Sequence, residues 1–514
     1  MDTILYIICH IIALAAFAIS TVKFVHFFQL NSYRAKIHTK WIFNNFGKIW
    51  PNVITGVALV AISLAGKNPG LKIAFSVIAL LLAILSKPKK AKKPLVYTMR
   101  VKRLLVTTAI SYAFLCGIGI YLGFGLTVCA ILCLVSPAWI MLTNLINRPL
   151  ELTITNYYIR DAKKKLASSN AKVIGITGSY GKTSVKYYLS TLLKAKYNVL
   201  MTPESYNTPM GVVITIRSSL SALNEIFICE MGAKRVGEIK EICDIVHPEI
   251  GIITSVGPQH LETFKSLDNV KKTKFELADS LPENGMLFLN GDDENINAFK
   301  GNRKNISYSV DGKGTYNASD IHLSDKGTHF TVTSPDGEKC EFVTKLIGMH
   351  NVLNITGAIA VSHSLGIELS RLKSQVSKLE AVPHRLELVK KGKDIIIDDA
   401  YNSNPSGTKA ALETLSYFDG MKILLTPGMV ELGAKQAELN EEFGKNAAKV
   451  CDYVILVDKQ QTEPIYKGLK SAGYPEDKIY VATDFNDAIT HAYGLNSNDE
   501  RKIILLENDL PDNY

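Results

Sequence analysis

Val173-Ile174-Gly175-Ile176-Thr177-Gly178-Ser179-Tyr180-Gly181-Lys182-Thr183-Ser184 is the stretch on which the reading of this chain turns. A short apolar, β-branched run, a glycine-rich loop, Lys-Thr and then a helical pattern to about Lys196 form the order that phosphate binding requires. Glycines let backbone N–H groups approach phosphate oxygens, and the helix N-terminus adds positive potential. Gly178, Ser179, Gly181 and Ser184 would form the cradle. Lys182 would neutralise the β and γ oxygens, and the Thr183 hydroxyl would ligate Mg²⁺. Counted from Gly178, the loop is one residue shorter than the general GxxxxGK[ST] pattern.

Downstream, short apolar runs end in polar residues. Ile226-Phe227-Ile228-Cys229-Glu230 closes a buried-strand pattern with an acid, and a carboxylate there points into the crevice where α/β sheets bind ligands. Ile252-Ile253-Thr254-Ser255-Val256-Gly257 reads as another strand and leads to Gln259-His260. Between the loop and these runs stands Asn207-Thr208-Pro209, and beyond them stand Lys274-Phe275-Glu276, Asn290-Gly291-Asp292-Asp293 and Gly348-Met349-His350-Asn351. Pro383-His384-Arg385-Leu386-Glu387 precedes Ile395-Ile396-Ile397-Asp398-Asp399-Ala400-Tyr401-Asn402-Ser403-Asn404-Pro405, the most specific stretch of all.

In this order and with the short loop, these motifs resemble the Mur ligases of bacterial cell-wall synthesis, and most closely their D-alanyl-D-alanine-adding branch. The resemblance covers roughly residues 168–514. It implies an ATP-dependent ligase that forms an amide bond through an acyl phosphate. It implies ATP contacts at Asn290, Asp292, Asn351, Arg385 and Asp399 besides the loop, and substrate contacts at Asn207, Thr208, Tyr401, Asn402 and Asn404. Thr183, Glu230, His260 and a carbamylated Lys274 would hold Mg²⁺, with Lys182, His260 and Lys274 as the catalytic set. The partners implied are ATP, an amino-acid or dipeptide amine, and a carboxylate acceptor such as a wall precursor. Two departures stand out. The domain that grips the uridine diphosphate sugar has no room here, and the family's Lys-Gly-Ser after the last strand is replaced by Glu507-Asn508-Asp509.

What fills the missing place is apolar and basic. Residues 1–150 carry sixteen Lys or Arg and a single acid, Asp2, for +15; of the chain's 58 basic and 48 acidic residues, 42 and 47 are left for 151–514, or −5. That larger part offers no basic stripe, which argues against nucleic acid as a partner. Apolar runs at about 3–22, 51–66, 71–86, 104–122 and 124–143 suggest about five transmembrane helices, two of them short against the ~20 residues a span takes. The sequence Lys67-Asn68-Pro69-Gly70 reads as a tight turn between the short pair. The basic segments 23–50 and 87–103 put those loops, and residues 144–514, in the cytoplasm. A cleaved signal peptide at 1–20 is the rival reading, against which stands the lack of a basic stretch before the apolar run. The eight cysteines form no CxxC pair, so neither a zinc ribbon nor a disulfide framework is expected.

The expected architecture is an N-terminal α-helical membrane region over 1–150 followed by α/β. A P-loop central domain with a mainly parallel sheet would occupy 151–382, and a Rossmann-like domain 383–514. The expected setting is a bacterial cytoplasmic membrane, lipid bilayer included, with the catalytic domains in the cytoplasm. Three functions compete: a wall-precursor ligase that could take a lipid-linked acceptor; a ligase building another polymer of the poly-γ-glutamate type; and a non-catalytic ATP-binding scaffold.

Overall fold

The structure is a computed structural model, and it describes residues 2–64, 69–85, 94–298, 305–324, 326–400, 403–496 and 500–508. Tyr401, Asn402 and the Lys67-Asn68 half of the expected turn lie outside the described residues. The chain divides into two compact units, one over Met1–Tyr157 and one over Tyr158–Leu510.

The second unit contains two sheets. The first has nine strands: β1 (Lys172–Thr177), β2 (Val199–Met201), β3 (Ile226–Glu230), β4 (Ile250–Ile253), β5 (Met286–Asn290), β6 (Asn305–Ser309), β7 (Tyr316–Ser324), β8 (Gly327–Thr333) and β9 (Lys339–Thr344). Their order is β2-β3-β1-β4-β5-β6-β7-β8-β9, parallel through β7 and antiparallel at β7-β8-β9. β1, β3 and β4 are buried almost throughout, as parallel strands covered on both faces must be. One face packs Ile174, Ile176 and Ile228 against helices Lys182–Leu193 and Met349–Ser364. The other packs Val173, Phe227 and Ile253 against helices Pro209–Ser219, Glu238–Val246 and Leu267–Asp279. The strand order runs away from β1 on both sides, so the loop after β1 opens at the point where such sheets bind ligands.

The second sheet has six strands: β10 (Glu387–Lys391), β11 (Asp394–Asp399), β12 (Met421–Thr426), β13 (Tyr453–Val457), β14 (Ile479–Ala482) and β15 (Lys502–Glu507). The order is β10-β11-β15-β12-β13-β14, with only β10-β11 antiparallel. The latest strand made, β15, is thus seated between β11 and β12.

The first unit is helical: Asp2–Leu30, Ala35–Asn44, Phe46–Leu64, Pro69–Leu85, Met99–Tyr121, Gly125–Leu134 and the first part of Ser136–Ala167. Five straight spans are not what forms. Among the described residues, two helices are long and apolar enough to cross a membrane, Tyr6–Leu30 and Met99–Tyr121, or up to four spans if each of two bent pairs counts as one. The run at 124–143 breaks at Val135, where Gly125–Leu134 meets Ser136–Ala167 at 88°. Pro69–Leu85, with 17 residues, falls short of a perpendicular span. Helix Ala35–Asn44 occupies a segment read as a basic loop. Helix Met99–Tyr121 buries Val101, Leu104, Thr108, Tyr112 and Cys116, while Val106, Ile110 and Phe114 form an exposed apolar stripe at a spacing of four.

Candidate active site

The loop after β1 is bolted to the end of β4. Ser179 N–H donates to Ser255 O (2.8 Å), Ser179 Oγ donates to Gly257 O (3.0 Å) and Tyr180 N–H donates to Ser255 Oγ (2.6 Å). Tyr180 Oη donates to Pro258 O (2.9 Å). Gly178 has φ 154°, and a Cβ there would stand 2.1 Å from Thr254 Oγ1; at Gly181, φ 79°, a Cβ would meet Asn354 Oδ1 at 2.8 Å. Neither position accepts a side chain, and both hold the backbone close to the space above the loop. Lys182 Nζ donates to Gly178 O (2.7 Å), and burial pushes its amine down to about 8 against the pull of Glu230.

Glu230 is the hub. Its Oε1 accepts from Thr183 Oγ1 (3.2 Å) and from Asn207 Nδ2 (3.0 Å), while Oε2 lies 3.0 Å from Lys186 Nζ. Burial alone would raise this carboxyl, but Lys186 and Lys182 hold it below the ordinary range. Lys186, wholly buried, escaped the sequence reading, although its place four residues after Lys182 puts both on one helix face. Thr183, Asn207 and Glu230 therefore come together. Thr208 instead caps helix Pro209–Ser219, accepting from Gly211 N–H (3.3 Å).

Lys274 does not lie on a solvated basic face. It is 1% exposed between half-buried Lys271 and the core, while Lys272 faces outward. Burial, aided by the charge of Lys182, pushes its amine well below the lysine range. Glu276, two residues on, caps the helix Glu238–Val246 through Gly237 N–H (2.6 Å) and Lys240 N–H (3.0 Å). His260, at φ 50°, shares a short hydrogen bond from its Nδ1 side with Glu431 of the C-terminal domain, and Lys234 Nζ adds an ion pair at 3.1 Å. The His260 bond pushes Glu431 down to about 2. A carboxylate that fixes one ring nitrogen is the usual partner of a metal-binding histidine. The stretch Gly428-Met429-Val430-Glu431-Leu432-Gly433 resembles the same branch of the family, but the pairing of Glu431 with His260 joins residues 171 apart and is not legible in it.

Above the loop opens a cavity of about 490 Å³ whose walls include Tyr180, Gly181, Ser184, Asn290, Asp292, Asn351, Arg385, Asp399 and Asn404. Both domains of the second unit contribute. Several expected contacts are also used locally: Asn290 Nδ2 donates to Thr254 O (3.0 Å), and Asp292 accepts from Val310 N–H (2.8 Å) and Ser309 Oγ. Asn351 Oδ1 accepts from Tyr188 Oη (2.7 Å), and Asn404 caps helix Pro405–Ser416. His350, also on the wall, is pushed down to about 4 by burial and so stays neutral. Among the described residues, His384, Glu387 and Asp398 are also close enough together for an ion, but His384 is exposed and already bonded to Asp398 (2.8 Å).

Asp399 and Glu507 are carboxyls paired in register across β11-β15, and Glu507 Oε1 accepts from Ser403 Oγ (2.7 Å). Burial pushes Asp399 up to about 6 and Glu507 well above the carboxylate range, where the charge of Asp399 raises it further. The folded chain thus holds protons that the unfolded chain has released, and stability falls as pH rises from the ordinary carboxylate range through about 6. Glu507→Gln gives Asp399 a permanent donor. Its unfolding free energy should exceed the parent's at about pH 7.5, by about 1 kcal/mol or more, and its melting temperature should rise with it. Near about pH 4 the difference should vanish; a difference that is the same at both values would refute the raised carboxyls.

Two family models match the chain: the Mur ligase middle domain over residues 176–362 and the Mur ligase glutamate ligase domain over residues 384–506. The UDP-N-acetylmuramoyl-tripeptide–D-alanyl-D-alanine ligase of Escherichia coli is 32% identical over 330 residues, 62% of this chain and 73% of that one. The enzyme of the same name from Bacillus subtilis is 33% identical over 302 residues, 58% of this chain and 63% of its own length. A crystal structure of MurF ligase from Thermotoga maritima in complex with ADP superposes with a TM-score of 0.62 at 26% identity, over 69% of this chain and 80% of that one.

Proposed function

This chain belongs to the Mur ligase family of ATP-dependent amide-bond ligases, and from that premise we propose a membrane-anchored ligase acting on a cell-wall precursor. It would join the precursor's carboxylate to the amine of an amino acid or dipeptide. The observation that carries this reading is the cavity itself, where the loop, Arg385 and Asp399 face one space from two domains.

The residues present suit the groups the family uses. Two glycines whose Cβ would collide with Thr254 and Asn354 leave backbone N–H groups bare for phosphate oxygens. Thr183 and Glu230 supply hard oxygens, the donors Mg²⁺ takes. Lys274 is buried, and burial together with the positive charge of Lys182 pushes its amine well below the lysine range. The neutral form of an amine is the one that takes up carbon dioxide, and the resulting carbamate would place an anion there. Bound Mg²⁺ would supply charge neutralisation on the phosphates.

The chain's own residues then do positioning. Lys182 and the loop hold the β and γ phosphates so that the acceptor carboxylate meets the γ-phosphorus in line, and ADP leaves. Arg385 and Asp399 hold the nucleotide from the second domain. The amine nitrogen attacks the acyl carbon, phosphate departs with the acyl C–O electrons, and the nitrogen loses a proton. Glu431 keeps His260 oriented throughout.

Anchoring rests on the two helices of spanning length, on the outward stripe Val106, Ile110 and Phe114, and on the +15 charge of residues 1–150. A lipid-linked acceptor suits a chain whose matched domains begin at residue 176, after a helical unit. Glu507-Asn508 at the end of β15 favours keeping the other-polymer reading, because Ser403 Oγ bonds Glu507 (2.7 Å) beside the expected substrate loop.

The test is phosphate release from ATP by the purified full chain in detergent, with and without bicarbonate. Amino acids and D-alanyl-D-alanine would be crossed with soluble and lipid-linked wall precursors. One stimulating acceptor–amine pair, with its amide product found by mass spectrometry, is the expected result. ATP binding without turnover across the panel, poly-γ-glutamate-type acceptors included, would leave a scaffold. Extraction of the chain from membranes by alkaline carbonate would refute the anchor.

A further inference from the structure

Four of the eight cysteines, Cys9, Cys116, Cys129 and Cys133, are buried in one core of the helical unit. Two of them meet. Cys116 Sγ stands 3.1 Å from Cys129 Sγ, between helices Met99–Tyr121 and Gly125–Leu134. Two thiolates that share a tetrahedral zinc stand about 3.8 Å apart, so these sulfurs are too close to have a metal between them. Cys133 turns away, its Sγ donating to Ala13 O (3.4 Å).

A base lies beside the pair. His10 Nδ1 donates to Tyr6 O (2.9 Å); a carbonyl only accepts, so Nδ1 carries the proton and Nε2 presents its lone pair. Among the described residues, that Nε2 is buried without a hydrogen-bond partner. A Cβ added at Gly125 would stand 2.9 Å from it, which sets it against the start of helix Gly125–Leu134. Cys129 follows Gly125 by one turn on the same face. A buried thiol is ordinarily inert because the thiolate is the nucleophile, and an unpaired imidazole nitrogen one turn away supplies the missing base.

The place in the chain favours oxidation. With the basic segment 87–103 on the cytoplasmic side, helix Met99–Tyr121 ends on the outer side, and Cys116 lies about 7.5 Å before that end. The reductants that keep thiols reduced in the cytoplasm do not act there. Around the same end Ile120, Phe124 and Ile131 are exposed and apolar, so a reagent reaches the pair from lipid rather than from water.

We propose that Cys116 and Cys129 are a redox-active pair, closed to a disulfide by a lipid-soluble two-electron oxidant of the quinone class. Two S–H bonds break and one S–S bond forms. The two electrons and two protons convert the quinone's carbonyls to the hydroxyls of a quinol, the Cys129 proton leaving through His10 Nε2. The side of the bilayer on which this happens rests on the membrane-anchored reading; the pairing of the sulfurs does not.

The purified, reduced full chain in detergent would be treated without oxygen with a short-chain ubiquinone, then denatured, and its free thiols counted by mass after maleimide tagging. The eight tags of the reduced chain should fall by two, with one quinol formed per chain and a peptide joining Cys116 to Cys129. Cys116→Ser and Cys129→Ser should each keep every tag they start with, whereas Cys133→Ser should still lose two. His10→Gln should slow closure by roughly 10²-fold or more. Eight tags after treatment, a bridge to any other cysteine, a His10→Gln rate equal to the parent's, or thiols of the untreated chain that tag only after a chelator would each overturn the proposal. Alkaline-carbonate extraction and ATP-dependent phosphate release report separately on the anchor and the ligase. An unclosed pair in a chain that resists extraction and turns over ATP therefore defeats this proposal alone.

Discussion

Lys182→Ala should lower ATP turnover by roughly 10³-fold or more while the chain still folds. Lys182 is the first residue of its helix and its Nζ bonds only to carbonyls of the loop, Gly178 O at 2.7 Å and Ser179 O at 3.2 Å. The loop itself is held by Ser179, Tyr180 and Thr254, none of which needs the lysine. Removing the ammonium therefore deletes its charge at the phosphates and its pull on Glu230 and Lys274, while leaving the hydrogen bonds that shape the loop. Alanine also favours the helix that follows. Phosphate release measured at saturating ATP, alongside a thermal melt, separates the two effects. Full turnover in a folded Lys182→Ala protein would remove the loop from the chemistry.

Lys186→Met should behave in the opposite way, as a stability mutant first. Lys186 and Glu230 have side chains 0% and 2% exposed, at 3.0 Å. Removing one partner leaves a carboxylate buried without its counter-charge, a loss of about 3–5 kcal/mol. That corresponds to a fall in melting temperature on the order of 10 °C. The double variant Lys186→Met/Glu230→Gln removes both charges, and most of the lost stability should return. Turnover should not return with it, because Thr183 and Asn207 would then converge on an amide rather than a carboxylate. A double variant as unstable as the single one would show that the ion pair is not what Lys186 contributes.

Much of the α/β part was legible because its signals are local. The loop after β1, the acid ending β3 and the Asp-Asp ending β11 each carry their meaning within a dozen residues. Glycine at 178 and 181, with no room for a Cβ, is the kind of constraint that a short stretch displays. What was hidden depends on contacts distant in sequence. Glu431 lies in a stretch that resembles the family, yet its partner His260 is 171 residues away, and Lys186 alone reads as an ordinary surface charge. Lys274 was recognised by its motif, yet its burial comes from packing of the helix Leu267–Asp279 against the sheet. In the helical unit, the sequence does not show where the apolar runs bend. An apolar run specifies burial or lipid contact but not straightness, so the 88° break beside Val135 leaves no mark in hydropathy.

The position of β15 between β11 and β12 also sets an order of events during synthesis. A ribosome that has made β12 must add another 81 residues before the gap in that sheet can be filled, which takes several seconds at roughly 5–20 residues per second. Until then Asp399 has no Glu507 beside it, and the wall of the nucleotide cavity that β11 carries is unsupported. The phosphate loop is complete long before. A nascent chain could therefore capture ATP early, yet the second half of the site stays unbuilt until residues 502–507 emerge, which would keep half-made chains from consuming it.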